Sequence, residues 1–263
     1  MTISTQLKLS TVAIILLCHL LSGAGGAPVQ AGAPAKSAAK SGQIGEAVTT
    51  FKQDHSFMGR SFFGEVGKTW LRISNRAGGY IVEAWQPNWH VYFINKEKQL
   101  FCKVPYKEVL TKRGLVRLSG FVCSGGLDKI LKTRSFTLQN KTYYEYIYPG
   151  EVTQEYFLNE NLGRERKTIT HYLLKTVKLP GTARPAEIIY LKLMNLPAVA
   201  GFPISLYGHT KKDKTWSLVT KSIGEEIAPP PSFDDLKGLK ETQDILEVVI
   251  NNEAQAIMDE LAK

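Results

Sequence analysis

Cysteine is scarce in this chain: Cys18, Cys102 and Cys123 are all there are, and around Cys102 and Cys123 no histidine or second cysteine stands at C-x-x-C spacing. That pattern argues against a zinc centre, and no metal is expected. Histidine is equally thin. His55, His90, His171 and His209 stand singly, and a lone histidine in a strand serves structure more often than chemistry. The Gly-x-Ser-x-Gly elbow, the H-E-x-x-H zinc pattern and the phosphate- and dinucleotide-binding glycine fingerprints are also missing. Two acidic pairs, Glu225-Glu226 and Asp234-Asp235, would point to opposite faces of a strand and so form no dyad. With no nucleophile, base and orienting group gathered together, the expectation is a protein that binds and does not catalyse, without a cofactor.

Long apolar runs are missing too, with one exception. Thr11 to Leu21 follows Lys8 and falls short of the roughly 20 residues a bilayer span needs, so residues 1–24 read as a secretory signal. Cleavage fits after Ala24 or after Ala31. A lipoprotein reading of Cys18 is disfavoured by Leu16 and Leu17 just before it. Residues 25–42, GGAPVQAGAPAKSAAKSG, hold too few large apolar groups to repay ordering and read as a flexible linker. The expected location is outside the cytoplasm, in a periplasm, a cell-envelope space or a secreted setting.

Acidic groups are outnumbered, 24 against 33 basic, for a formal charge of +9. Such a balance suits an anionic membrane surface or an acidic envelope partner. Export disfavours nucleic acid, and the dispersed charges also suit an ordinary solvated face. If the leader is removed, Cys102 and Cys123 remain. An oxidising compartment favours a bridge between them, stabilising by roughly 3 kcal/mol on chain-entropy grounds, against two buried small hydrophobes on neighbouring strands.

What the chain has in quantity is short, aromatic-rich strand patterns. Trp70 to Ser74, Tyr80 to Trp85, Trp89 to Ile94 and Leu100 to Val104 are separated by tight turn chemistry, which implies an antiparallel meander. Thr142 to Tyr148, Gln154 to Leu158, Ile169 to Leu174, Glu187 to Leu193, Ile204 to Gly208 and Thr215 to Thr220 extend the pattern. Gln43 to Gln53 reads as a short helix, and Leu236 to Leu261 as a terminal amphipathic helix after Pro229-Pro230-Pro231. The fold class is α+β and β-dominated, with the main domain at 43–235 and the terminal helix at 236–263. Apolar residues stand on both sides of several strands, Val91 and Phe93 against Tyr92 and Ile94, so both sheet faces need cover.

The segments TWLRISN, YIVEAW, NWHVYFINKEKQLFCKVPY and NLPAVAGFPISLYGHTKKDKTWSLVTKSI, followed by PSFDD, resemble in order and spacing the LolA-like superfamily of envelope lipoprotein carriers. The resemblance covers about Met58 to Asp235, with Gly201-Phe202-Pro203 and Ser232-Phe233 at corresponding corners. It implies a strongly curved antiparallel sheet, a half-barrel closed over short helices, and a lipid or other hydrophobic ligand held in a concave aromatic cavity. Trp70, Trp85, Trp89, Phe93, Tyr144, Tyr146, Phe157 and Trp216 are the expected lining, with core packing as the competing role for each. The terminal helix and the cysteine pair depart from the family pattern, and the arginine that some carriers use is not assigned to Arg60 or Arg72. The alternative is a structural or interaction module of the same fold whose core is filled by its own side chains.

Overall fold

The computed structural model describes residues 45–55, 60–75, 78–111, 127, 129–150, 152–154 and 166–250. In chain order the strands and helices are β1 (Glu46–His55), β2 (Arg60–Val66), β3 (Trp70–Asn75), β4 (Tyr80–Trp85), β5 (Val91–Asn95), β6 (Leu100–Val104), α1 (Tyr106–Thr111), β7 (Lys132–Leu138) and β8 (Lys141–Pro149). There follow β9 (Val152–Gln154), β10 (Arg166–Thr168), β11 (His171–Val177), α2 (Arg184–Leu193), β12 (Phe202–His209), β13 (Lys214–Ala228), a 3-10 turn at Phe233–Leu236, β14 (Lys240–Thr242) and α3 (Ile245–Val249). Twelve strands form one sheet in the order β14-β6-β5-β4-β3-β2-β1-β13-β12-β11-β8-β7, and β9 pairs with β10 apart from it. Every pairing in the large sheet is antiparallel except β14 with β6. The class is therefore β-dominated α+β.

Local chemistry explains the regular part. The meander β3 to β6 turns where expected, with β4 and β6 spanning the residues their composition indicated. Gln139 and Asn140 both adopt positive φ, the geometry of a two-residue hairpin, and join β7 to β8 with Leu138 opposite Lys141. Gly64 stands opposite Phe51 on β1, and the Phe51 ring occupies the space a side chain at 64 would need.

Three expectations are corrected. Residues Glu187 to Leu193 are not a strand but most of α2. Pro185 pre-sets the first helical turn, and Ala186, Ile189, Tyr190, Leu191 and Leu193 are all buried. A helix apolar on most sides loses its 3.6-residue period, so its short apolar run is indistinguishable from a buried strand. Gln43 to Gln53 is not a helix: from Glu46 it is β1, covered on both faces, and its two-residue alternation is masked for the same reason. The continuous helix from Leu236 is also replaced. Gly238 at φ 81° breaks the chain, β14 pairs with β6, and a new short helix starts at Asp244, whose carboxylate accepts from the Leu246 N–H at 2.8 Å. Residues 251–263 lie outside the described residues, as do Phe157, Cys123 and the segments expected to be leader and linker.

The principal core lies on one face of the sheet, beneath α2. There Phe51, Tyr190 and Phe202 interlock with centroids 4.4 to 5.1 Å apart, and Tyr190 donates its hydroxyl hydrogen to the buried Gln53 Oε1. The Gln53 amide in turn donates to the Pro203 carbonyl at 2.7 Å and to Thr220 Oγ1 at 2.8 Å, so the buried Gln53 side chain is satisfied on both its oxygen and its nitrogen. Helix α3 packs against β5 and β6, where Asn95 donates to the Val248 carbonyl at 2.9 Å.

Around β4 and β5 the opposite face is covered by the chain itself. After β13 ends at Ala228, opposite Glu46 of β1, the segment 229–239 runs to Lys240, beside Leu100 of β6. On the way Phe233 packs edge-on against Trp85, which stacks on Tyr92 at 4.6 Å. Asp235 lies 3.8 Å from Lys96. The Ser232 capping box fixes the turn that presents Phe233. Beneath this strap Arg72 bridges Glu83 at 2.7 Å and Glu65 at 3.0 Å.

Candidate functional site

The structure divides the eight nominated aromatics between environments. Phe93, Trp89 and Tyr146 belong to the core under α2, with Tyr144 packed against it. Tyr146 is tied down by its hydroxyl, which donates to the Ala200 carbonyl at 3.3 Å and accepts from the Ala200 N–H at 3.2 Å. Trp70 and Trp85 form a register pair across β3 and β4 and lie with Val48 and Ala228 in a separate small cluster. Trp216 on β13 is 42% exposed. Phe157 falls outside the described residues. These rings therefore do not line one shared hollow, because a strand's two-residue period sends Trp70 and Trp85 to one side of the sheet and Phe93 to the other. Cys102 is buried on β6, and its expected partner Cys123 is not among the described residues.

A cavity does exist at residues the sequence did not single out. It is a groove of about 390 Å³ between β8, β11, β12 and β13, bounded by Tyr143, Val177, Leu179, Ile204, Val219 and Ile223, with Lys141 and Lys221 also on its wall. Val177 and Leu179 are core residues, so the groove is anchored in the packed interior. Lys221 sits 3.4 Å from Asp54. The Ser61 hydroxyl, donating to Asp54 at 2.7 Å, and then Lys221 hold the Asp54 carboxyl below the usual carboxylate range against the opposing effect of burial. An irregularity in the β1–β13 pairing at Lys52/Gln53 falls beside this place, where the ladder skips Lys221. The signal that would have found the groove is weak: Val219, Lys221 and Ile223 alternate with polar residues like any solvent-facing strand.

Several titratable groups with shifted pKa values lie elsewhere among the described residues. His171 and His209 stack at 4.6 Å with their rings nearly parallel, and His209 is pushed down by burial and then by His171, Lys214 and Lys175. His55 is pushed down to about 4 by burial. Burial pushes the Glu83 carboxyl up, with Arg72 pulling the other way. Among the described residues no group of three or more His, Cys, Asp or Glu side chains is placed to hold a metal ion. Also among them, no helix is long and apolar enough to cross a membrane.

Compared with family models and with curated proteins, the chain matches none of them. The functional reading therefore rests on the groove, the sheet and the order of the sequence segments.

Proposed function

We propose that this chain is an exported, non-catalytic binding protein of the LolA-like carrier kind, which takes a lipid or another amphiphile by its apolar chain. The observation that supports this best is the groove of about 390 Å³, which lies within the roughly 300–1,000 Å³ of small-molecule sites. Val177, Leu179, Ile204, Val219 and Ile223 give its wall an apolar part beside Ser205, Thr220 and Ser222, and each methylene transferred to that part contributes about 0.8 kcal/mol with no covalent step. Lys141 on its wall is the cation that would meet an anionic headgroup, since Lys221 is already paired with Asp54. The half-barrel bend belongs to the same proposal: open sheets much beyond about 10 strands curl or split, and this one has twelve. Export, to a periplasm or cell-envelope space, rests on the leader-like Thr11 to Leu21.

Titration with a dansylated undecanoic acid tests the site. Saturable micromolar binding is expected, weakened at least tenfold by Val219→Trp, which fills the groove, and unchanged by Trp216→Ala. Equal binding by the wild type and Val219→Trp would reject the groove as the site.

One observation favours a second reading, the filled interaction module. Phe51, Tyr190 and Phe202 close the centre of the α2 face, and Trp70 and Phe93 are fully buried among the protein's own atoms. On that reading the wild type binds no dansyl probe.

A further inference from the structure

The two edges of the large sheet are treated differently. At one end stands β14, three residues long and held by the strap. At the other, among the described residues, stands β7, seven residues in continuous register with β8 on one side and exposed at every position. Every second residue of an antiparallel edge strand turns its N–H and C=O away from its neighbour, so β7 offers a ladder to another chain. Proteins blunt such edges with proline, bulges, shortness or charge. KTRSFTL has no proline, its pairing has no bulge, and it is not short.

Its charge is confined to one end. Lys132, Arg134, Phe136 and Leu138 share one face, opposite Ile147, Glu145, Tyr143 and Lys141 of β8, while Thr133, Ser135 and Thr137 share the other. Phe136 is 43% exposed and stacks on Tyr143, and Leu138 is 57% exposed. Glu145, across from Arg134, is already engaged by Lys175 at 2.8 Å. Among the described residues neither Lys132 nor Arg134 has an acidic partner within ion-pair distance. The edge thus presents two cations, then two apolar side chains, on one side of an open ladder.

We propose that β7 is a docking edge for an extended segment of another protein, added as an antiparallel strand, with acidic side chains opposite Lys132 and Arg134 and apolar ones opposite Phe136 and Leu138. Main-chain hydrogen bonds supply the affinity of such strand addition, and the alternate side chains supply its selectivity. A second copy of this chain fits less well, because antiparallel pairing about Ser135 would set Lys132 opposite Leu138 and Arg134 opposite Phe136 and give neither cation an acidic partner. The inference stands independently of whether the groove takes a lipid.

The probe is a labelled peptide, Leu-Thr-Val-Thr-Glu-Thr-Glu, which in antiparallel pairing sets its two Glu opposite Arg134 and Lys132. Its control carries Lys in place of both Glu. Fluorescence anisotropy with the full chain is expected to show at least tenfold tighter binding of the Glu peptide, with slower amide exchange across 132–138. The double variant Lys132→Glu/Arg134→Glu is expected to invert the preference, a gain of binding to the Lys peptide that an unfolded protein would not show. Equal affinity for both peptides, or binding of neither, would overturn the proposal. So would concentration-dependent self-association of the wild type that the double variant abolishes, which would give the edge to a second copy.

Discussion

The strand VYFIN of β5 is buried at all five positions, whereas KTRSFTL of β7, in the same sheet, is exposed at all seven. Around β5 both faces are covered, by α3 on one side and by the strap with Phe233 on the other. Around β8 and β11 burial alternates instead, as in HYLLKTV, where Tyr172, Leu174 and Thr176 are buried and His171, Leu173 and Lys175 are not. One sheet therefore has two kinds of surface. The β3–β6 end carries stability, since apolar area is removed from water on both sides there. The β7–β13 end leaves a groove and an open edge at its surface, the places where a second molecule can be met.

Substitution breaks or sharpens this contrast. The largest effect is expected from Phe93→Ala, which leaves a cavity in the closed half and costs about 3–5 kcal/mol by urea denaturation; Trp216→Ala in the open half is expected to stay within about 0.5 kcal/mol. Comparable losses at the two sites would dissolve the contrast. A somewhat smaller effect comes from His55 at the end of β1, whose folded-state pKa is lowered to about 4 by burial. The unfolded chain takes up that proton first, near pH 6.5, so the contribution is fully present above that pH and is lost as pH falls towards 4. The loss is on the order of 3 kcal/mol. Denaturation midpoints from pH 7 to pH 4 are expected to fall more steeply for the wild type than for His55→Gln. Parallel slopes would show that another group governs this window.

The same contrast explains how much could be read from the residues. The meander was legible because Tyr80 to Trp85 and Leu100 to Val104 are bounded by turn residues, which act locally. β1 and α2 carry no clear period because burial on several sides erases it, and then Pro185 and the β-branched Thr49 and Thr50 are the guides. β7 went unnoticed for the opposite reason: a fully exposed strand has no apolar face to announce it. The aromatic rings drew attention as ligand contacts, yet most are core, and the groove is lined instead by modest residues such as Val219 and Ile204. Its existence depends on where four strands separated in sequence come together, which no local pattern encodes.

On the proposed function, the open half holds a hydrocarbon chain in the groove beside Val219. Native mass spectrometry of the protein purified from an exporting host, followed by organic extraction, tests it most directly. The expected result is a mass excess in the wild type that extraction identifies as an amphiphile and that Val219→Trp eliminates. A wild-type protein at its bare polypeptide mass, or an adduct retained unchanged by Val219→Trp, would contradict it.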